Sequence, residues 1–228
     1  MATQQILWIP TTIRLPSGSR FITAVEKRHP EGEFGRVAKS LIDAGSPWDA
    51  LDYPTGDARI DDVLKPRMHQ RVDGAALLGD EAALARLLGE SPGPDELTNA
   101  LAGAAKGGHA ALCRRLLKAG APVDGSTGPD RVTPLMCAVS SCSYETVEAL
   151  LEHGADVAAK NVNGSTALHM GIARDASLET IKLLLRSGAS AQIETSNEFG
   201  YTPLRVALER GREEIVQLLR ESQRAKSG

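Results

Sequence analysis

Histidines, cysteines and clustered carboxylates are the side chains of this sequence that could do chemistry, and their spacing decides what chemistry that is. The five histidines are His29, His69, His109, His153 and His169. No two have the four-residue helical spacing that puts two imidazoles on one metal ion. Asp57, Asp61 and Asp62, with His69 beyond, could hold a hard cation. Arg59, Lys65 and Arg67 interleave with them, so a solvated surface is expected instead. Cys113, Cys137 and Cys142 are odd in number and irregularly spaced. That argues against a disulfide framework and for a reducing compartment, the cytoplasm. No glycine loop is built to cradle a phosphate, and no Gly-x-Ser-x-Gly turn presents a nucleophile. Arg114, Arg115 and Lys118 form a basic patch too small to imply nucleic acid. No catalytic residue, metal or cofactor is therefore expected.

Composition agrees. With 42% hydrophobic and 24% charged residues, the chain is a soluble globular type. A net charge of −3 gives no general attraction to nucleic acid. No apolar run is long enough to insert in a membrane, and MATQQILWIP lacks the pattern of a secretory signal.

The elements that position these residues recur. Gly120-Ala121, Gly154-Ala155 and Gly188-Ala189 are spaced 34 residues apart. Thr133-Pro-Leu, Thr166-Ala-Leu and Thr202-Pro-Leu open successive units. One unit can be read from its physics. Thr133 caps a helix start, and Pro134 has no N–H to leave unpaired in the first turn. Leu135, Ala138 and Val139 share one face of a short helix. A polar break follows at 140–143. A second apolar helix runs through Val147, Leu150 and Leu151, and Gly154 ends it. Cys113 and Cys137 take helix positions that otherwise carry apolar residues, and are expected as small buried hydrophobes. Cys142 ends a first helix where Gly108 and Gly211 stand in neighbouring units.

These openings, with the closes Leu116-Leu117…Gly120-Ala121, Leu150-Leu151…Gly154-Ala155-Asp156 and Leu184-Leu185…Gly188-Ala189, resemble ankyrin repeats over about 70–222. The resemblance implies an all-α solenoid of stacked helix-turn-helix units with short finger loops. It also implies that His109 and His169 serve hydrogen bonding around the loops.

The chain divides into three segments. Residues 1–69 are expected as an N-terminal cap, 70–222 as the array and 223–228 as a polar tail. Within the cap, residues 1–19 read as an extended arm or short hairpin, with Ser17-Gly18-Ser19 as turn. Phe21, Ile22 and Val25, then Val37, Leu41 and Ile42, suggest a degenerate helix pair. Residues 46–69 form an irregular insertion. Trp8, Phe21, Phe34, Trp48 and Tyr53 are five of the eight aromatics, which suggests packing against the array. A stack leaves an apolar face at each end that something must cover.

The implied function is non-enzymatic binding of another protein by a chain that is monomeric when unbound. The contact residues carried over from the resemblance lie on finger tips and the exposed sides of first helices. They are Asp95, Glu96 and Lys106; Asp130, Arg131, Ser140 and Ser141; Val162, Asn163, Arg174 and Asp175; then Glu198, Phe199, Tyr201, Glu209 and Arg210. Two alternatives stay open: an inhibitor or immunity-type protein that blocks a toxin or enzyme active site, and an enzyme with its chemistry in residues 1–73.

Overall fold

The computed structural model describes residues 12–13, 22–23, 69–89 and 91–227. The chain divides into two units, Met1–Arg67 and Met68–Gly228. In the first, β1 (Thr12–Ile13) and β2 (Ile22–Thr23) pair antiparallel, Thr12 opposite Thr23 and Ile13 opposite Ile22. All four residues are β-branched, which favours this pairing over helix. The helix expected around Phe21–Val25 is corrected on this point, since Ile22 is in a strand. The helix through Val37–Ile42, the insertion and the aromatic cap lie outside the described residues.

In the second unit, five helix pairs succeed one another. They are α1 (Val72–Leu78) with α2 (Glu81–Leu88), α3 (Pro94–Lys106) with α4 (Ala110–Lys118), α5 (Pro134–Ser140) with α6 (Tyr144–Glu152), α7 (Ala167–Ala173) with α8 (Leu178–Arg186), and α9 (Pro203–Glu209) with α10 (Glu213–Ser227). First helices contact first helices down the stack, and from α4 on second helices contact second helices, giving two layers. The array is all-α. Leu101, Leu135, Met136, Leu150, Leu168, Ile172, Ile181 and Leu184 are wholly buried between the layers. Residues 223–227, expected as a polar tail, continue α10 instead. No glycine or proline interrupts the run before Gly228, and the Ser222 hydroxyl bonds back to the Leu218 carbonyl at 2.9 Å.

The caps are those the sequence calls for. Thr133 Oγ1 accepts the Met136 N–H at 3.4 Å, and Thr202 Oγ1 accepts the Arg205 N–H at 3.2 Å. Each first helix ends on a left-handed residue: Gly79, Gly108, Cys142, Asp175 and Gly211, with φ of 70°, 74°, 57°, 60° and 65°. Cys142 and Asp175 thus hold a conformation that suits glycine, and both are exposed.

The tightest packing is between α1 and α3. At Gly103 an added Cβ would lie 2.2 Å from the Asp73 carbonyl oxygen. Gly103 is buried in mid-helix, where propensity alone would favour alanine by roughly 1 kcal/mol. A backbone carbonyl cannot yield as a flexible side chain would, so steric cost prevails. We expect Gly103→Ala to destabilise the chain by about 1–3 kcal/mol in urea melts. A variant as stable as the parent, or more so, would show that α1 and α3 are not in this close contact.

Candidate functional site

Three finger loops precede α5, α7 and α9. Counting back from the capping threonines Thr133, Thr166 and Thr202, they share one register. The residue two before each threonine is left-handed: Arg131 at φ 52°, Gly164 at 69° and Gly200 at 74°. In the last two fingers an asparagine organises the turn. Asn161 Oδ1 accepts the N–H groups of Asn163 and Ser165 at 3.0 and 2.9 Å. Asn197 Oδ1 accepts those of Phe199 and Tyr201 at 3.1 and 3.0 Å.

The fingers are tied to one another through backbone. The Val162 N–H donates to the Asp130 carbonyl at 3.0 Å, and the Glu198 N–H donates to the Asn163 carbonyl at 3.0 Å. The Asn197 side-chain amide adds a bond to Ser165 Oγ at 3.1 Å. Five contact residues expected from sequence (Asp130, Val162, Asn163, Glu198 and, by continuity, Phe199) therefore lie along one ribbon. Phe199 is 67% exposed and Val162 39%. Tyr201 is half-buried, with the Arg205 guanidinium 4.5 Å from its ring centroid.

The other expected residues sit at the ends of first helices. Asp95 and Glu96 are exposed in the first turn of α3, where Glu96 Oε2 accepts the Gly93 N–H at 2.9 Å. Lys106 is exposed at the end of α3. Ser140 and Ser141 are half-buried and their hydroxyls are already engaged. Ser140 donates to the Met136 carbonyl at 2.8 Å. Ser141 lies within bonding distance of both the Ala105 and Ala138 carbonyls, at 3.1 and 2.9 Å. Arg174, Asp175, Glu209 and Arg210 are exposed. Asp175 pairs with Arg212 at 3.2 Å and more loosely with Arg210 at 3.8 Å. Glu209 pairs with Arg205 at 3.1 Å.

Sequence reasoning missed Leu208, which is 52% exposed. It falls at the same place in α9 as Val139 in α5 and Ile172 in α7, both wholly buried. The residue type gave no signal, because a leucine at this place reads as core and its exposure depends on what packs over α9.

Both histidines singled out in the sequence are structural. His109 Nε2 donates to the Leu77 carbonyl at 2.9 Å. His169 is 2% exposed. The Thr166 N–H donates to its Nδ1 at 3.2 Å, so the proton resides on Nε2, which donates to the Tyr201 carbonyl at 3.1 Å. His169 thereby ties one finger base to the next. Among the thiols, burial pushes Cys113 up to about 12 and Cys137 up to about 11, which keeps both protonated and unreactive. Cys142 Sγ lies 3.3 Å from the Arg174 carbonyl. His69 Nδ1 bonds to Asp80 Oδ2 at 2.6 Å, while Asp80 Oδ1 caps α2 at the Ala83 N–H. The carboxylates 57, 61 and 62 lie outside the described residues. Among the described residues, no group of three or more His, Cys, Asp or Glu could hold a metal ion, and no helix is long and apolar enough to cross a membrane.

In a comparison with protein families, the family described as "Ankyrin repeats (3 copies)" matches residues 73–161 and again 158–227. The chain belongs to the ankyrin-repeat family. A comparison with curated proteins finds no match. Ankyrin arrays are in general protein-interaction modules.

Burial of the His169 imidazole holds its pKa below the ordinary 6.5. The folded state thus stays neutral where the unfolded chain already takes up a proton. Between 6.5 and the lower folded value the unfolded state binds more protons, so stability falls as pH falls through that window. Urea melts from about pH 7.5 down to about pH 5 should show a steeper loss for the parent than for His169→Gln. Parallel curves would mean that His169 is not held neutral in the fold.

Proposed function

We propose that this ankyrin array binds a partner protein through its fingers and the adjoining ends of its first helices, without catalysis by the array. The observation that carries the reading is the backbone-tied ribbon of fingers with Val162 and Phe199 exposed along it. Rigid loops bind at low ordering cost, and an exposed aromatic supplies contact area with few rotatable bonds. The surrounding charges are of both signs: Asp130, Arg131, Glu198, Arg174 and Asp175. Mixed charge suits a specific protein surface better than a polyanion. The three unpaired cysteines support placing the chain in a reducing compartment, the cytoplasm.

Affinity capture of the full chain, with mass spectrometry, tests this. The parent should enrich a reproducible protein, and Val162→Asp with Phe199→Asp should lose it while its melt is unchanged. Against the purified partner, Phe199→Ala should weaken binding by about 2 kcal/mol or more. Equal capture by parent and double variant would overturn the assignment of the fingers.

A further inference from the structure

The finger ribbon obeys a single rule. The N–H four residues before a capping threonine donates to the carbonyl three residues before the preceding one. Val162 donates to Asp130 in this way, and Glu198 to Asn163, both at 3.0 Å. The rule stops at both ends for different reasons. At the start the donor position is Pro129, which has no N–H. At the finish the acceptor position is Phe199, and among the described residues nothing donates to its carbonyl.

The same end is open in the helix layer. Position by position from the helix start, α9 matches α5 and α7. Val139 of α5 is covered where α7 packs on α5, and Ile172 of α7 where α9 packs on α7. Leu208, their counterpart, is 52% exposed, and Leu204 is half-buried where Leu135 and Leu168 are wholly buried. One neighbouring position has been made polar. Met136 and His169 are buried, whereas Arg205 in their place is exposed and paired with Glu209. A stack closed for solubility would carry polar residues at all of these places. Here the end is polar at Arg205 and apolar at Leu204 and Leu208.

We propose that this outer end, made by Phe199, Leu204 and Leu208, docks a turn–helix segment of another protein. The reading rests on the array being a protein-binding module, and it extends contact from the finger residue Phe199 to Leu204 and Leu208 of α9. The structure shows twice what occupies such an end. Each time it is a finger that gives one N–H to the carbonyl in register, followed by a short helix over the apolar pair. An unpaired backbone edge beside exposed apolar side chains is a template for adding such an element. The occupant must carry a residue other than proline at its donor position and a helix with small apolar residues. A rim of mixed charge would meet Arg205 and Glu209.

A phage-displayed library of peptides about 20 residues long on a fixed frame is the probe: Asn-x-x-Gly-x-Thr-Pro followed by randomised helix positions, panned on the full chain. The frame copies the chain's own fingers. Recovered peptides should weaken at least tenfold against Leu208→Glu. They should weaken similarly when proline replaces the residue after the frame asparagine. They should be indifferent to Val162→Asp. Leu208 is exposed, so Leu208→Glu should leave the melt unchanged, and a matching melt is the control for folding. Failure to recover any binder, or binders that tolerate both Leu208→Glu and the proline, would overturn the proposal. Binders lost only to Val162→Asp would overturn it while leaving the finger-tip reading intact. Sedimentation of the parent showing a dimer that Leu208→Glu dissolves would assign the end to a second copy and overturn the choice of a foreign partner.

Discussion

A helix of seven residues followed by one of nine, as in α5 and α6, cannot close a core around itself. Such helices are also too short to persist alone in water. Every apolar residue of a pair must therefore be covered by the pair before it or the pair after it. The period of the sequence, the two layers and the uniform register of the fingers all derive from that need. So does the cost of the last pair, which leaves Leu208 exposed.

The polar groups inside the stack obey the same logic. Thr146 and Thr180 are wholly buried, and each hydroxyl lies 2.9 Å from the serine hydroxyl that starts its helix, Ser143 or Ser177. His169 spends both ring nitrogens, one on Thr166 and one on Tyr201. No buried side-chain nitrogen or oxygen among the described residues lacks a partner. An unmet group there would cost about 1–3 kcal/mol. Bonds that cross from one unit to the next also fix the register in which units stack. Ser141 to the Ala105 carbonyl at 3.1 Å and Arg212 to the Ala176 carbonyl at 2.8 Å are two such links.

What the sequence made legible was local or periodic. Thr133 and Thr202 as caps, Gly154 as a helix stop and Cys142 in a glycine position each depend on neighbours within a few residues. The burial of Leu150 and Leu184 depends on a period that can be counted. The features that escaped are those in which distant segments meet. Gly103 looks like any helix glycine until α1 is laid against it. Ile22 suits a helix by its apolar spacing, but Ile13 pairs with it as strand. Leu208 looks like a core leucine, and its exposure depends on which element packs over α9. The finger residues were named from the resemblance to ankyrin units, yet their linkage through backbone bonds is not written in any residue type. Only Pro129 carries a trace of it, as the one finger whose donor position is proline.

The proposed binding face requires the fingers to be one rigid ribbon. Loops that moved independently would offer Phe199 and Val162 no fixed spacing for a partner to read. Amide hydrogen exchange in the free chain measures this directly at two groups, the N–H of Val162 and the N–H of Glu198. Both sit in exposed loops, and each donates to a carbonyl of the neighbouring finger. Protection of both well above that of an unstructured amide, lost together with the unfolding of the stack, is the expected result. Exchange of either at the unstructured rate under native conditions would contradict the ribbon and the binding face built on it.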